Sequence, residues 1–326
     1  MRTRPLESLL FAAITALTAC GGGAGAGGAA APTEVKGASA SEAIDRDPVV
    51  LLPSSPVVAG TFDVRAIVDG KTTGGLAGQL VERFFPLGEE SGLSPSKDVD
   101  RVTFGSYSSQ GLDVVAVLSG RFDAAKIEAL ATNHVQVKGG GFVVASTYAD
   151  RKLFTVSNVG FTIVSPRTAL VGTESGMRRA LERMKDGRLS RAFFPWMMET
   201  LETKGAAFAV AGDFANQPLT PQSMGPVPIS FVKGLKAFRA IGNFAPPGVQ
   251  VAGTATYGDD ASASAGAENL QKLGKLANVF AVATGNLPQL QNLTIAPRST
   301  DVQVTFAIDD ASLQGFLARI PQLLGS

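Results

Sequence analysis

The sequence DVQVTFAIDDASLQGFL, residues 301–317, contains an arrangement that recurs through this chain: a strand, an aspartate and a helix. Apolar and polar residues alternate from 302 to 308, which is typical of a strand with one buried face. After Asp310 the apolar residues fall at helical spacing as far as Ile320. We therefore predict a strand that leads directly into an N-capped helix.

Two other stretches repeat this arrangement, SGRFDAAKIEAL at 119–130 and TYGDDASASAGAENL at 256–270. An aspartate at the start of a helix accepts hydrogen bonds from backbone N–H groups and lies favourably in the helix dipole. We predict this capping role for Asp123, Asp260 and Asp310. The alternative is an acidic metal site built from Asp259, Asp260, Asp309 and Asp310.

The order of strand-like and helix-like segments predicts an α+β fold with two tandem lobes, 48–188 and 189–326. Each lobe is expected to pack its helices on one face of a largely antiparallel sheet. The first strand is predicted at 57–67, and a helix in the second lobe is predicted to end at Gly205. A long helix after TYGDD is predicted to bury Leu270, Leu273, Ala277 and Phe280.

The composition is that of a globular protein with a sizeable core, since 45% of the residues are hydrophobic and 17% are charged. Lysine and arginine number 29 against 28 acidic residues. This balance argues against a nucleic-acid-binding surface, which needs a basic face. A single cysteine excludes intrachain disulfides and thiolate metal sites. We predict no cofactor, no metal and no nucleic-acid partner.

The N-terminus has the parts of a secretory signal peptide: a basic start, a short apolar stretch and small residues at its end. The uncharged stretch, 9–19, is too short for a permanent membrane-spanning helix. It ends at the only cysteine, Cys20. We predict a signal peptide at 1–19 and a flexible tether at 20–47, because glycine, alanine and serine dominate that segment.

Leu17-Thr18-Ala19-Cys20 resembles the lipobox of bacterial lipoproteins. The resemblance implies that the Cys20 sulfur receives a diacylglycerol, that cleavage falls before Cys20 and that the new amino group is acylated. Two or three acyl chains anchor a protein stably to a membrane. In such lipoproteins an aspartate after the cysteine often causes retention in the inner membrane, so Gly21 favours the outer membrane. The alternative is a free or buried structural cysteine after an ordinary signal peptide.

Two features could carry enzymatic chemistry. Ser94-Pro95-Ser96-Lys97 matches the S-x-x-K motif, in which a serine nucleophile opens a helix and a lysine one turn later reaches it. Pro95 and Asp98 predict a loop here instead, and the companion S-D-N motif is missing from the sequence. The single histidine, His134, is predicted in a solvated loop rather than in a catalytic triad.

The segment AFFPWMM, 192–198, concentrates more large apolar residues than one helix face can bury. The residues concerned are Phe193, Phe194, Trp196, Met197 and Met198. One interpretation is a helix between the two lobes that is buried on several sides. The other is an exposed patch that meets a protein partner, a lipid or the membrane.

These observations predict a lipid-anchored cell-envelope protein with a non-enzymatic binding or structural role. It would contact the membrane through the lipid on Cys20, and its protein or lipid partner is not identified by the sequence. The segment VVLLPSSPVVAGTFD, 49–63, resembles uncharacterised bacterial envelope proteins, and that resemblance implies no activity. A carrier of an apolar ligand held between the lobes is the alternative, and a Ser/Lys hydrolase is a third.

Overall fold

The structure is a computed structural model that describes residues 40–73, 75–84, 87, 89–109, 113–137, 141–156, 159–219, 230–284 and 287–323. The predicted signal peptide, Cys20 and the first part of the predicted tether lie outside these residues.

The helices are α1 (Ala40–Arg46), α2 (Val64–Val68), α3 (Leu76–Phe84), α4 (Pro95–Asp98), α5 (Ala124–Thr132), α6 (Glu174–Lys185), α7 (Pro195–Leu201), α8 (Asp260–Thr284) and α9 (Asp310–Leu323). The strands are β1 (Val58–Asp63), β2 (Val99–Ser106), β3 (Val114–Gly120), β4 (Val144–Tyr148), β5 (Arg151–Val156), β6 (Val159–Ser165), β7 (Thr168–Gly172), β8 (Phe208–Asp213), β9 (Leu235–Ala245), β10 (Gly248–Tyr257), β11 (Gln291–Arg298) and β12 (Asp301–Asp309). The strand pairs are antiparallel, which confirms the predicted α+β class.

The described residues divide into two compact units. The N-terminal unit comprises residues 40–65 and Gly78–Pro195, and the C-terminal unit comprises Ala66–Ala77 and Trp196–Ser326. The boundary between them therefore lies after Pro195 rather than after residue 188. The C-terminal unit also takes a short segment from within the predicted first lobe, because Gln314 of α9 donates hydrogen bonds to the carbonyls of Lys71 and Thr72.

The sheet of the N-terminal unit has the strand order β1-β2-β3-β7-β6-β5-β4. Neighbouring residues on β6 point to opposite faces. A Cβ placed at Gly160 would lie 3.2 Å from Met177 of α6. Phe161, the next residue, belongs to a buried cluster with Ile127 of α5. The two helices thus cover opposite faces of this sheet, and the prediction of helices on one face is wrong for this unit.

The sheet of the C-terminal unit has the order β11-β12-β10-β9-β8. On β12, Val302 and Val304 are buried, whereas Gln303 and Thr305 are exposed. Val302 lies opposite Ala255 of β10, on the same side as Tyr257, whose ring lies against Gly266 of α8. The core of this unit therefore lies between α8 and the valine face of the sheet.

The recurring aspartates cap their helices, but at two of the three sites the neighbouring aspartate does so. Asp123 accepts hydrogen bonds from the N–H groups of Ala125 and Lys126, as predicted. At the start of α8, Asp259 rather than Asp260 accepts from the Ser262 N–H at 2.7 Å.

Asp309 has the same role at the start of α9, where it accepts from the Ser312 N–H at 2.8 Å. In both cases the aspartate three residues before the serine lies where its carboxylate can accept a hydrogen bond from the serine N–H. The predictions for Asp260 and Asp310 are therefore wrong by one residue.

Three predicted segments differ in extent from the observed ones. The first strand ends at Asp63, and the chain continues as α2 instead of extending to residue 67. Helix α7 ends at Leu201, because a turn at residues 203–205, with Gly205 at φ 78°, leads into β8.

The predicted tether ends earlier than expected. Residues 40–46 form α1, in which Ile44 is buried and Asp45 accepts a hydrogen bond from the Thr168 hydroxyl at 2.7 Å.

Candidate functional site

Helix α8 changes in character along its 25 residues. Its first half exposes charged and polar side chains, among them Glu268, Gln271, Lys272 and Lys275. Lys272 Nζ lies 2.7 Å from Glu268 Oε1, one helical turn away. From Leu276 to the end of the helix the sequence LANVFAVAT contains no charged residue. The second half of α8 is therefore apolar on its outward side as well as on its packed side.

The packed side holds α8 firmly on the sheet. Leu270 and Ala281 are buried, and a Cβ at Gly274 would lie 2.3 Å from the Leu293 side chain of β11. The Asn278 amide donates to the Leu290 carbonyl at 2.9 Å, and its oxygen accepts from the Leu290 N–H at 2.7 Å. This pair of bonds sets the rotation of the apolar half of the helix.

The outward side of this half is an exposed apolar surface. Its members and their exposed fractions are Leu276 (50%), Val279 (63%), Phe280 (49%), Val282 (72%) and, just after the helix, Leu287 (43%). We call these five residues the α8 surface. The prediction that Phe280 is buried is wrong, while Leu270 is buried as predicted and Leu273 and Ala277 are half-buried. Side chains this apolar and this exposed commonly mark a contact with another molecule.

The structure divides the apolar cluster that the sequence places at residues 193–198. Phe193, Met197 and Met198 are buried, Trp196 is half-buried and Phe194 is 36% exposed. Phe193 and Phe194 belong to the N-terminal unit, and the other three belong to the C-terminal unit. These five residues therefore do not form one exposed patch, because most of their apolar area packs within the protein.

The S-x-x-K motif lies at α4, a single helical turn where the sequence predicts a loop. The Ser94 hydroxyl donates to Glu82 Oε1 at 2.7 Å, and the Ser96 N–H donates to the same oxygen at 2.8 Å. Because Glu82 belongs to α3 and its carboxylate accepts both hydrogen bonds, these contacts join α3 to α4. The Ser94 hydroxyl thus serves a structural contact in this conformation.

The other titratable candidates also have structural contacts. His134 is exposed, and its Nδ1 lies 2.9 Å from the Ala131 carbonyl at the end of α5. Hydrogen bonds from the Ser312 backbone and hydroxyl lower the pKa of Asp309, and those of Ser262 do the same for Asp259. Across the described ranges, no group of three or more His, Cys, Asp or Glu side chains could hold a metal ion.

The most perturbed tyrosine, Tyr107, belongs to the interior of the N-terminal unit. Burial raises its pKa, and the nearby Arg179 and Arg183 guanidinium groups partly oppose that effect. Its hydroxyl donates to the Pro53 carbonyl at 2.9 Å, and Arg179 lies 4.7 Å from the ring centroid. Arg183 donates to the Ser190 carbonyl at 2.8 Å. This cluster joins α6 to the surrounding loops.

Two adjoining grooves of about 390 Å³ and about 470 Å³ lie in the C-terminal unit. Gln303 and Thr305 line them, so they lie on the face of the sheet opposite α8. Their walls mix apolar residues with polar side chains, among them Glu199, Thr203, Arg239, Asn243, Gln250 and Thr254. Pockets for apolar ligands are lined mainly by hydrophobic side chains, whereas the first of these grooves also presents the charged Glu199 and Arg239.

Cys20 lies outside the described residues, so the structure gives no geometry for the predicted lipid anchor. None of the described helices is both long enough and apolar enough to cross a membrane. Sequence reasoning missed the α8 surface, although one signal was present. The nine residues that end α8 lack any charge, whereas a helix with one solvated face should carry some.

Comparison with known proteins identifies a similar fold. The chain is similar to crystal form III of TP0453, with a TM-score of 0.54 and 10% identity over 84% of this chain and 98% of that one. It is similar to crystal form I of TP0453, with a TM-score of 0.51 and 14% identity over 86% and 98%. No protein-family model and no curated protein matches the sequence. At such low identity, the likeness extends to the fold alone.

Proposed function

We propose that this chain is a lipid-anchored protein of the bacterial cell envelope with a non-enzymatic binding role, in the outer rather than the inner membrane. The sequence supports the anchor through the ordered signal peptide and lipobox that end at Cys20. The observation that carries the binding role is the exposed α8 surface, which adjoins a rigidly held helix face. The anchor would hold the protein at a membrane, and the α8 surface would be the part that contacts its binding partner.

The contacts of the candidate catalytic residues support a non-enzymatic role. A serine nucleophile needs a base within hydrogen-bond reach, and in S-x-x-K enzymes the lysine lies one helical turn after the serine and reaches it. Here the Ser94 hydroxyl donates to Glu82, on an oxygen that the Ser96 N–H also uses. These contacts join α3 to α4, so the Ser94 hydroxyl is held in a structural contact.

The alternative function is a carrier of an apolar ligand. The first groove of the C-terminal unit suits an apolar ligand poorly, because the charged Glu199 and Arg239 side chains line it. Extraction of the purified native protein with organic solvent, followed by mass spectrometry, distinguishes the two functions. A stoichiometric lipid in the extract would favour the carrier, whereas none is expected for a surface binder.

The anchor is tested by expressing the Cys20→Ser variant in a bacterial host and separating membranes from soluble proteins. We expect the variant to leave the membrane fraction or to accumulate as the uncleaved precursor, since the thioether cannot form. A Gly21→Ala variant keeps the cysteine and is the matched control, expected to fractionate as the parent does. A Cys20→Ser protein with the size and fractionation of the parent would refute the proposed anchor.

A further inference from the structure

We infer that the α8 surface lies on the lipid bilayer to which the chain is anchored, with its apolar side chains at the level of the acyl-chain boundary. The inference rests on the proposed function, which supplies the bilayer, and it names the partner of the binding surface. It is carried by the exposure of the five α8 side chains, by the charges beside them and by the predicted anchor at Cys20.

The shape of the surface suits a bilayer. At 3.6 residues per turn, Leu276, Val279, Phe280 and Val282 span an arc of about 160° on α8. The middle of this arc lies opposite buried Leu270 and Ala281. A helix with one packed face and one wide apolar face can lie in the plane of the membrane interface, with the apolar side chains inserted.

The charges next to the surface also fit lipid headgroups. Lys272 and Lys275 are exposed within the turn and a half that precedes Leu276; Glu268 pairs with Lys272, and no carboxylate follows Glu268 in α8. Lysine side chains extend toward headgroups while their methylene stems stay near apolar surroundings. Anionic lipids attract such residues near the membrane surface. Helices that lie in the membrane interface are commonly rich in lysine beside their apolar face.

The predicted anchor would hold the whole chain at a membrane. Nineteen residues, 21–39, separate Cys20 from Ala40, the first described residue. Anchoring raises the effective concentration of the protein at the bilayer, so a modest intrinsic affinity of the α8 surface is enough for contact.

A second copy of the chain is a less suitable occupant. A half-exposed side chain of this size offers on the order of 100 Å². The five together then offer about 500 Å², less than the roughly 800 Å² per partner that a stable protein interface buries. A bilayer needs no such minimum, because the lipid anchor supplies the remaining affinity.

The test uses residues 20–326 with Cys20→Ser, which retain every described residue and carry no lipid. Binding is measured by sedimentation with vesicles of phosphatidylethanolamine and phosphatidylglycerol in a 7:3 ratio. The variant Val279→Ser/Phe280→Ser removes two exposed side chains of the α8 surface. The matched control is Phe142→Ser/Val144→Ser, which removes the same residue types at similar exposure, 53% and 60%, from the N-terminal unit. Thermal unfolding of each variant verifies that it is folded.

We expect the α8 variant to lower the vesicle partition coefficient at least tenfold and the control variant to change it less than twofold. Equal losses in both variants would overturn the inference, because binding would then follow general apolar exposure. Absence of vesicle binding by the parent would also overturn it, while leaving a Cys20-dependent anchor intact. Concentration-dependent dimers that the α8 variant abolishes, without vesicle binding, would assign the surface to a second copy and overturn the inference.

Discussion

Replacing Asp309 with alanine should destabilise the protein, whereas replacing its neighbour Asp310 should not. Asp309 accepts from the Ser312 N–H and hydroxyl, each at 2.8 Å, and from the Gln291 amide at 2.8 Å. Loss of an N-cap side chain costs about 1 kcal/mol, and the additional bond from Gln291 raises the expected loss to about 1–2 kcal/mol.

Asp310 is the matched control. Its Oδ1 is buried and receives no hydrogen bond from the residues that the structure describes. Removing an unsatisfied buried acceptor relieves a desolvation cost, so Asp310→Ala should be neutral or slightly stabilising. The assay is urea unfolding at pH 7 with circular dichroism as the signal. An Asp310→Ala variant less stable than Asp309→Ala would refute the assignment of the cap.

The same cap should depend on pH in a defined direction. The hydrogen bonds from Ser312 lower the pKa of Asp309 below its usual value of about 3.9. A lowered pKa means that the stabilisation is fully present above about pH 3.9 and is lost as the pH falls through the folded-state value. The stability difference between the parent and Asp309→Ala should therefore shrink below about pH 4, and a difference that grows on acidification would contradict the account.

Three further changes test the packing. Leu270→Ala should lower the free energy of unfolding by about 2–4 kcal/mol because Leu270 is buried, whereas Phe280→Ala should lower it by under about 1 kcal/mol. Equal losses of stability in urea unfolding would contradict the observed orientation of α8. Arg183→Met should cost about 1–3 kcal/mol by removing the hydrogen bonds that the buried Arg183 side chain donates to the Val50 and Ser190 carbonyls, and a change within about 0.5 kcal/mol would refute that role. Trp196, the only tryptophan, should be partly quenched by iodide, and complete quenching would contradict its half-buried position.

The fold class could be predicted because the periodicities of strands and helices differ and alternate clearly along the chain. The capping residues could be predicted only to within one position. Asp259-Asp260-Ala261-Ser262 and Asp309-Asp310-Ala311-Ser312 each offer two adjacent acids, and either acid can precede the helix. The aspartate that caps the helix is the one three residues before the serine, because its carboxylate accepts a hydrogen bond from the serine N–H.

The absence of charge from 276 to 284 indicates an unusual helix end, but apolar residues alone do not reveal which side of a helix is packed. In α8 they occur all around the second half, and the spacing of Leu270, Leu273, Ala277 and Phe280 matches a buried face. Tertiary bonds of Asn278 to Leu290 set the actual rotation, and these bonds join residues that no local pattern relates. The cluster at 193–198 differs from α8, since the sequence left open that it was exposed and most of its apolar residues are buried.

The central claim, a membrane-anchored protein whose α8 surface contacts the bilayer, has one direct measurement. With Cys20→Ser, the chain has no other cysteine, so Phe280→Cys places a single environment-sensitive fluorophore on the α8 surface. Glu268→Cys places the same fluorophore on the charged half of the same helix as a control. We expect anionic vesicles to shift the emission at position 280 to the blue and a quencher attached to the lipid acyl chains to reduce that emission, with little change at 268. Unchanged emission at 280, or equal changes at both positions, would contradict the claim.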